Sequence, residues 1–273
     1  MRQMNLACYC VNFDQYDFLL ELLHEVEDVH VGAELSMFSD QPEYMKKLKK
    51  QKERFQKFPI SFHGPYMEVE ATSDLDSGDH EKILRAYDMA FEVYEEFQGD
   101  SIVMHTNQRT FLPKEKKKYQ ENVIETICQI GTEAEKRKVN LLVENVGEEM
   151  DGNMLFGEEE YIQLFEKIPA SVGALVDIGH AILNHWDLER LIRTLNGKIR
   201  AYHLHNNDGK GDIHRPLFES QMLLKEKDWK ELFGWMEQYT PQADWILEYA
   251  PGDHINAALV DKEVRQILRM LGK

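Results

Sequence analysis

At 273 residues, 42% of them apolar, the chain is long enough for one large core, and α/β barrels of about 250 residues commonly form a single domain. Its 32 basic and 49 acidic residues leave a net charge of −17, a field that repels phosphate backbones and anionic lipid surfaces, so neither nucleic acid nor a membrane is the expected partner. No apolar run approaches the ~18 residues of a membrane span and no signal-like apolar segment opens the chain, so a cytoplasmic protein is expected.

Short β-branched and aromatic runs alternate with longer amphipathic ones along the whole sequence. Residues 6–11 read as a first strand and 14–27 as the helix after it, with Asp14 placed to cap it. A second strand over 31–38 leads to a helix over 42–57, where Pro42 suits a first helical position. A third strand, 60–63, ends at Gly64-Pro65, and a polar loop through 74–79 precedes a helix over 80–97. The fourth strand, 101–105, is followed by a helix over 113–138, and the fifth, 140–146, by a Gly- and Glu-rich loop and a helix over 158–167. The sixth strand, 172–178, precedes a helix over 187–195. The seventh, 199–205, runs into the longest irregular stretch, 206–227. A helix over 228–239, an eighth strand over 244–249 and a last helix over 255–271 complete the chain.

Eight strand-then-helix units favour a closed parallel (β/α)₈ TIM barrel over an open doubly wound sheet. The open sheet should carry a glycine-rich turn after its first strand, and neither GxGxxG nor GxxxxGK[ST] occurs. With no linker or low-complexity tract, residues 1–273 are read as a single domain. The basic clusters at Lys46, Lys47, Lys49 and Lys50 and at Lys114 and Lys116 to Lys118 sit beside glutamates in helical stretches and read as solvated faces. Three cysteines make no disulfide framework, and Cys8 and Cys10, two apart on one strand, lack the second pair a thiolate metal site would need.

Potential ligands recur at the predicted strand ends. His63 closes strand three in SFHGPY and His105 strand four in IVMHTN. Glu144 lies in LLVENV on strand five and Asp177 in ALVDIGH on strand six, with His180 just beyond. His203 and His205 lie in YHLHNND on strand seven, and Glu248 in WILEYAP on strand eight. Charged groups embedded in apolar strands are costly to bury without partners, and in a barrel the C-terminal strand ends meet on one face. One such residue alone reads as a hydrogen-bonded core group; six strands agreeing read as a shared site. Imidazoles and carboxylates without thiols suit Mn²⁺, Mg²⁺, Co²⁺, Fe²⁺ or Zn²⁺. His24, His30, His80, His185 and His254 fall outside strand ends and read as surface residues.

In this order and spacing, VEN at 143–145, DIGHA at 177–181 and HLHNND at 203–208, followed by Asp212-Ile213-His214, resemble the xylose-isomerase-like barrel superfamily across essentially the whole chain. That superfamily includes sugar and sugar-phosphate isomerases and epimerases, inosose-processing enzymes and apurinic endonucleases of the endonuclease IV type. The resemblance implies one metal held by Glu144, Asp177, His205 and Glu248. His203 faces the same side as His205, and His205 is preferred for its H-x-x-D run to Asp208.

In the endonucleases up to three metals are held, and their additional ligands would match His63, His105, His180, Asp212 and His214; in the sugar enzymes such histidines bind substrate hydroxyls. The acidic composition favours a small carbohydrate substrate, with abasic-site cleavage as the alternative and a non-catalytic carbohydrate-binding barrel as a third reading. For the sugar enzyme the resemblance implies that Glu144 and Glu248 are also the acid–base pair, working through a metal-stabilised enediolate. One tightly held metal is expected, with at most weak occupancy elsewhere. Glu34, on strand two and pointing to the same rim, is a candidate to bind substrate or to orient another side chain; Arg215, in the long loop, is a candidate anchor for substrate or an exposed loop arginine; and Phe38 and Trp186 are candidate pocket walls or packing residues. A homo-oligomer is compatible with everything above.

Overall fold

Strand β1 (Met4–Cys8) is hydrogen-bonded on one side to β2 (Val31–Ser36) and on the other to β8 (Asp244–Tyr249), and this double pairing closes the sheet. Between them run β3 (Ile60–His63), β4 (Ile102–His105), β5 (Leu141–Glu144), β6 (Gly173–Asp177) and β7 (Ile199–Leu204), all parallel, in the order of the sequence. The computed structural model describes residues 4–8, 15–26, 31–38, 41–67, 69–250 and 255–272. The cap expected at Asp14, residue Cys10, His30 and His254 lie outside them, as does the side chain of Cys8.

Around the barrel lie α1 (Gln15–Glu25), α2 (Pro42–Lys49), α3 (Lys52–Phe55), α4 (Gly78–Phe97), α5 (Lys116–Arg137), α6 (Glu158–Leu164), α7 (Ile178–Leu183), α8 (Leu188–Leu195), α9 (Glu226–Tyr239) and α10 (Ala257–Met270). Pro42 takes the first turn of α2, as its missing N–H allows, but the single helix expected over 42–57 divides into α2 and α3. The short α7 was not anticipated. Asp177 ends β6 and accepts a hydrogen bond from the backbone N–H of His180 at 2.6 Å, so its carboxylate starts a helical turn at Ile178, the last residue of the expected strand. His80, read as a surface residue, is buried at the start of α4, with Nε2 3.3 Å from Gln129 Oε1 of α5. Among the described residues, no helix is long and apolar enough to cross a membrane.

The alternation of side chains across a strand fixes the barrel interior. Val103, Leu142, Leu175, Ala201 and Ile246 form an isolated apolar cluster, each from a different strand. Two residues further along the same five strands come His105, Glu144, Asp177, His203 and Glu248. One inward layer is therefore an apolar plug, and the next, toward the C-terminal face, consists of imidazoles and carboxylates. The opposite faces of the strands pack on the helices; Tyr161 of α6, for example, is buried and donates its hydroxyl to the Val143 and Leu175 carbonyls at 2.8 and 2.7 Å.

Candidate metal centre

Strand register brings the polar layer together before any loop is considered. His105 lies beside Glu144 and Asp177 beside His203 in the ladder, while Ala7 of β1 separates Glu34 from Glu248. Three groups of residues result whose candidate donor atoms lie within 4.8 Å of one another: Glu144, Asp177, His203 and Glu248; His63, His105 and Glu144; and His180, His205, Asp212 and His214.

The orientation of each imidazole shows what the groups can do. His203 Nε2 lies 2.9 Å from Glu34 Oε1, and Glu34 Oε2 accepts from Ser61 Oγ at 2.9 Å. That leaves Nδ1 facing Glu248 Oε2 at 3.0 Å, Glu144 Oε1 at 3.4 Å and Asp177 Oδ2 at 3.8 Å. His63 Nδ1 faces the Gly64 carbonyl at 3.1 Å, which turns Nε2 toward His105 Nε2 at 2.9 Å and Glu144 Oε2 at 3.8 Å. His105 Nδ1 contacts the Gln108 amide, and its Nε2 is 3.1 Å from Glu144 Oε2. His180 Nδ1 lies 2.9 Å from the Asn145 carbonyl and His214 Nδ1 3.3 Å from that of Glu248, so both Nε2 atoms face Asp212 Oδ2, at 3.2 and 2.6 Å.

An imidazole whose far nitrogen is anchored by a carbonyl or carboxylate presents a lone pair on the near one. Here the near nitrogens point at carboxylates and at each other, where they can carry protons without a cation or present lone pairs to one. Donors around a tetrahedral ion with bonds of 2.0–2.1 Å sit about 3.3 Å apart, close to the spacings above. Glu144 Oε2 and His203 Nδ1 are buried without a well-directed hydrogen bond, although His203 Nδ1 is only 3.0 Å from Glu248 Oε2 and 3.4 Å from Glu144 Oε1. Short distances with poor hydrogen-bond direction are what atoms converging on a common third point produce. The residues fit divalent cations.

Strand seven contributes His203 to the carboxylate group, where the sequence reading preferred His205. Both face inward, but His203 stands one layer above Ala201 with the other donors, and His205 lies just past the strand. His205 Nε2 is 3.0 Å from Asp177 Oδ2, and its ring stacks on that of His214 at 3.8 Å and 10°. One ion cannot lie in two nearly parallel ring planes, so of these two His214 is the better donor for the outer group and His205 its backing.

Glu34 is 1% exposed and sits beneath the cavity, where it orients the His203 side chain, one of the two roles its sequence position allowed. Arg215 is held by Glu219 at 2.9 Å and does not line the cavity. Phe38 packs on Tyr44 and Trp186 on Tyr161, which makes both packing residues.

Asparagines of the VEN and HLHNND motifs, to which the sequence reading gave no role, hold the candidate donors in place. Asn145 donates to the Asp177 carbonyl at 3.0 Å and accepts from its N–H at 2.8 Å, locking β5 to β6 at the site. Asn207 Oδ1 accepts from the N–H groups of Ile213 and His214 at 2.8 and 3.3 Å, which shapes the turn bearing Asp212 and His214. His214 has φ of 47°, a left-handed conformation that side chains with a Cβ adopt at a cost and that clusters at functional sites. Glu148, also unanticipated, accepts from the Asp212 N–H at 3.1 Å.

Burial alone would push His203 down, but Glu248, Glu144 and Glu34 overcome it and hold the imidazole well above its usual range. His180 is held up in the same way by Asp177 and Asp212, and His214, beside Glu248 and Asp212, is raised to about 9 against its own burial. Burial and the neighbouring His105 lower His63, which keeps its lone pair free. Glu144 and Glu248 stay well below the ordinary range although burial pushes both up, because His203, together with His105 at Glu144 and His214 at Glu248, outweighs it.

Above the donors opens a cavity of about 470 Å³ lined by Tyr66, Asn107, Gln108, Glu148 and Asn153 together with site residues. No lysine or arginine is among the described residues lining it.

Residues 21–271 match the xylose isomerase-like TIM barrel family. The chain belongs to that family. Among solved structures, it is similar to a D-tagatose 3-epimerase-like protein, with a TM-score of 0.78, 17% identity and coverage of 100% of this chain and 98% of the other. A Thermus thermophilus protein soaked with zinc chloride matches with a TM-score of 0.74 and 18% identity over 99% and 98% of the two chains. An AP endonuclease, family 2, from Brucella melitensis gives 0.69 and 18% over 94% and 95%. At these identities the likeness is one of fold. No curated protein sequence matches the chain.

Proposed function

We propose that this barrel is a divalent-metal-dependent isomerase or epimerase of a small carbohydrate, with Glu144 and Glu248 as the proton-transfer pair. The observation that carries the proposal is that these two carboxylates, from different strands, approach the same His203 nitrogen at 3.4 and 3.0 Å directly below an open cavity. Glu144, Asp177, His203 and Glu248 would hold the principal cation, which supplies a Lewis acid beside a substrate carbonyl and so acidifies the adjacent C–H bond. One carboxylate takes that proton and the other returns one, each within reach of a carbon held between them. Tyr66, Asn107, Gln108 and Asn153 offer hydroxyl, amide and ring surface to a polyol. The similarity to an epimerase-like barrel supports the reading, as does a lining that holds no lysine or arginine among the described residues.

A second reading, hydrolysis at an abasic site, is favoured by one observation: the outer groups around His63 and His105 and around His180, Asp212 and His214 are complete donor sets with anchored imidazoles. On the first reading these outer groups bind substrate hydroxyls or take further cations more weakly than the centre.

Protein stripped by chelation and reloaded with Mn²⁺, Mg²⁺, Co²⁺ or Zn²⁺ would be incubated in D₂O with ketoses, aldoses and inososes, and separately with an abasic duplex. Deuterium should enter one carbon of a sugar or inosose, and Glu144→Gln and Glu248→Gln should each abolish it. Cleavage of the duplex without exchange into any sugar would replace the first reading with the second.

A further inference from the structure

Helix α10 buries Val260, Glu263, Val264 and Ile267 on one face, and the carboxylate among them is unexpected. Glu263 is 2% exposed. Burying a carboxyl costs free energy that an apolar side chain of similar volume at the same place would not, so its partners matter. Oε1 accepts from the backbone N–H of Phe218 at 3.2 Å, and Oε2 from the hydroxyl of Tyr249 in a short contact. The N–H of Leu217 faces the same pair of side chains. Glu263 thus joins three elements: the last helix, the residue after Glu248 on β8, and the long loop between β7 and α9.

That loop carries Asp212 and His214. Leu217 lies three residues beyond His214, and between them Arg215 pairs through its backbone with Asn206 at 2.8 and 2.9 Å. The His214 carbonyl accepts from the Ala250 N–H at 2.9 Å, so the loop is tied to the end of β8 at His214 and again, through Glu263, at Phe218. A left-handed His214 persists only where its surroundings over-determine it. Asn207 fixes the turn from within; the Glu263–Tyr249 pair fixes where the turn sits against β8.

We propose that Glu263 is a positioning residue for the outer cation group, holding Leu217 and Phe218 against Tyr249 so that Asp212 and His214 meet His180. The proposal rests on the reading of that group as a cation site. Glu263 touches no donor atom, and its effect is transmitted through the loop.

The test uses the full chain with Glu263→Gln, which retains an acceptor for Phe218, and Glu263→Leu, which retains bulk but no acceptor. Two readouts are taken: zinc bound at each site in competition with a chelator, with Asp212→Ala defining the outer site, and hydrogen exchange over 206–224 in metal-free protein. Glu263→Leu should speed exchange at Leu217 and Phe218 and weaken the Asp212-dependent zinc by about 10- to 100-fold, the range for lost second-shell support. Zinc at the central site should stay unchanged, and Glu263→Gln should restore most of the loss. Unchanged loop exchange in Glu263→Leu would overturn the proposal, and so would a loosened loop with outer zinc bound as before. If Asp212→Ala removes no zinc from the unmodified protein, the reading of the outer group itself fails and takes this role of Glu263 with it; the exchange data separate that outcome from the others.

Discussion

His203 and His205 show how much one inward step along a strand decides. Both are fully buried and both touch Asp177, yet His203 has its far nitrogen on Glu34 and its near one among three carboxylates, whereas His205 is stacked on His214. A residue repeat of two identifies the face but not the depth. The depth was nevertheless present in the sequence: Val103, Leu142, Leu175, Ala201 and Ile246 each precede a donor by two positions, and only His203 stands in that relation to Ala201. The prediction at this scale is a split between the two imidazoles. His203→Ala should weaken the tightest cation by more than the roughly 10- to 100-fold typical of second-shell losses, whereas His205→Ala should stay within that range. Calorimetric titration of each chelator-stripped variant with Zn²⁺ measures both, and equal losses would remove the distinction drawn from geometry.

At the scale of elements, strands and long helices were legible because their signals are local. The outer strand faces, the proline of α2 and the amphipathic α4, α5 and α10 all appear in the structure near their expected places. What was not legible depended on partners distant in sequence. The turn of helix α7 exists because Asp177 caps it, and the cap is also a donor. Glu34 reads as able to orient another side chain, but only the fold shows that Ser61 and His203 are its partners. His80 reads as surface until Gln129 of α5 is placed against it.

The approach of α7 to β7 has a further cause in Gly179. A Cβ there would lie 1.9 Å from His205 Cε1, so this glycine is what lets the ring lie beside the helix. Gly179→Ala should cost about 1–3 kcal/mol by overpacking, read from denaturant unfolding. In a His205→Ala background, where no ring remains to collide with, the same change should cost well under 1 kcal/mol, a coupling a double-mutant cycle resolves. Equal costs in the two backgrounds would place the strain elsewhere.

Across the whole molecule, the net charge of −17 is not confined to the surface. Glu34, Glu144, Asp177 and Glu248 are buried together, with Asp212 at their edge. Without a cation, the imidazoles of His180, His203 and His214 offset these carboxylates, which is why all three are held above their ordinary range. A histidine raised in the folded state stabilises fully below its unfolded value of about 6.5 and loses that contribution as pH climbs through its folded value. For His214 the folded value is about 9. Metal-free protein should therefore lose thermal stability between about pH 6.5 and 9.5. Cations compete with the same protons for the same nitrogens, so their binding strengthens over that interval. At one hundred times its Kd a cation contributes about 2.7 kcal/mol, or about 5 °C at the roughly 2 °C per kcal/mol of a chain this long. With Mn²⁺ at fixed concentration, the rise in melting temperature over metal-free protein should grow from pH 6 to pH 8.5. A rise that stayed flat or shrank would mean that the three imidazoles do not exchange protons for metal, and the donor assignment of the barrel's centre would have to be abandoned.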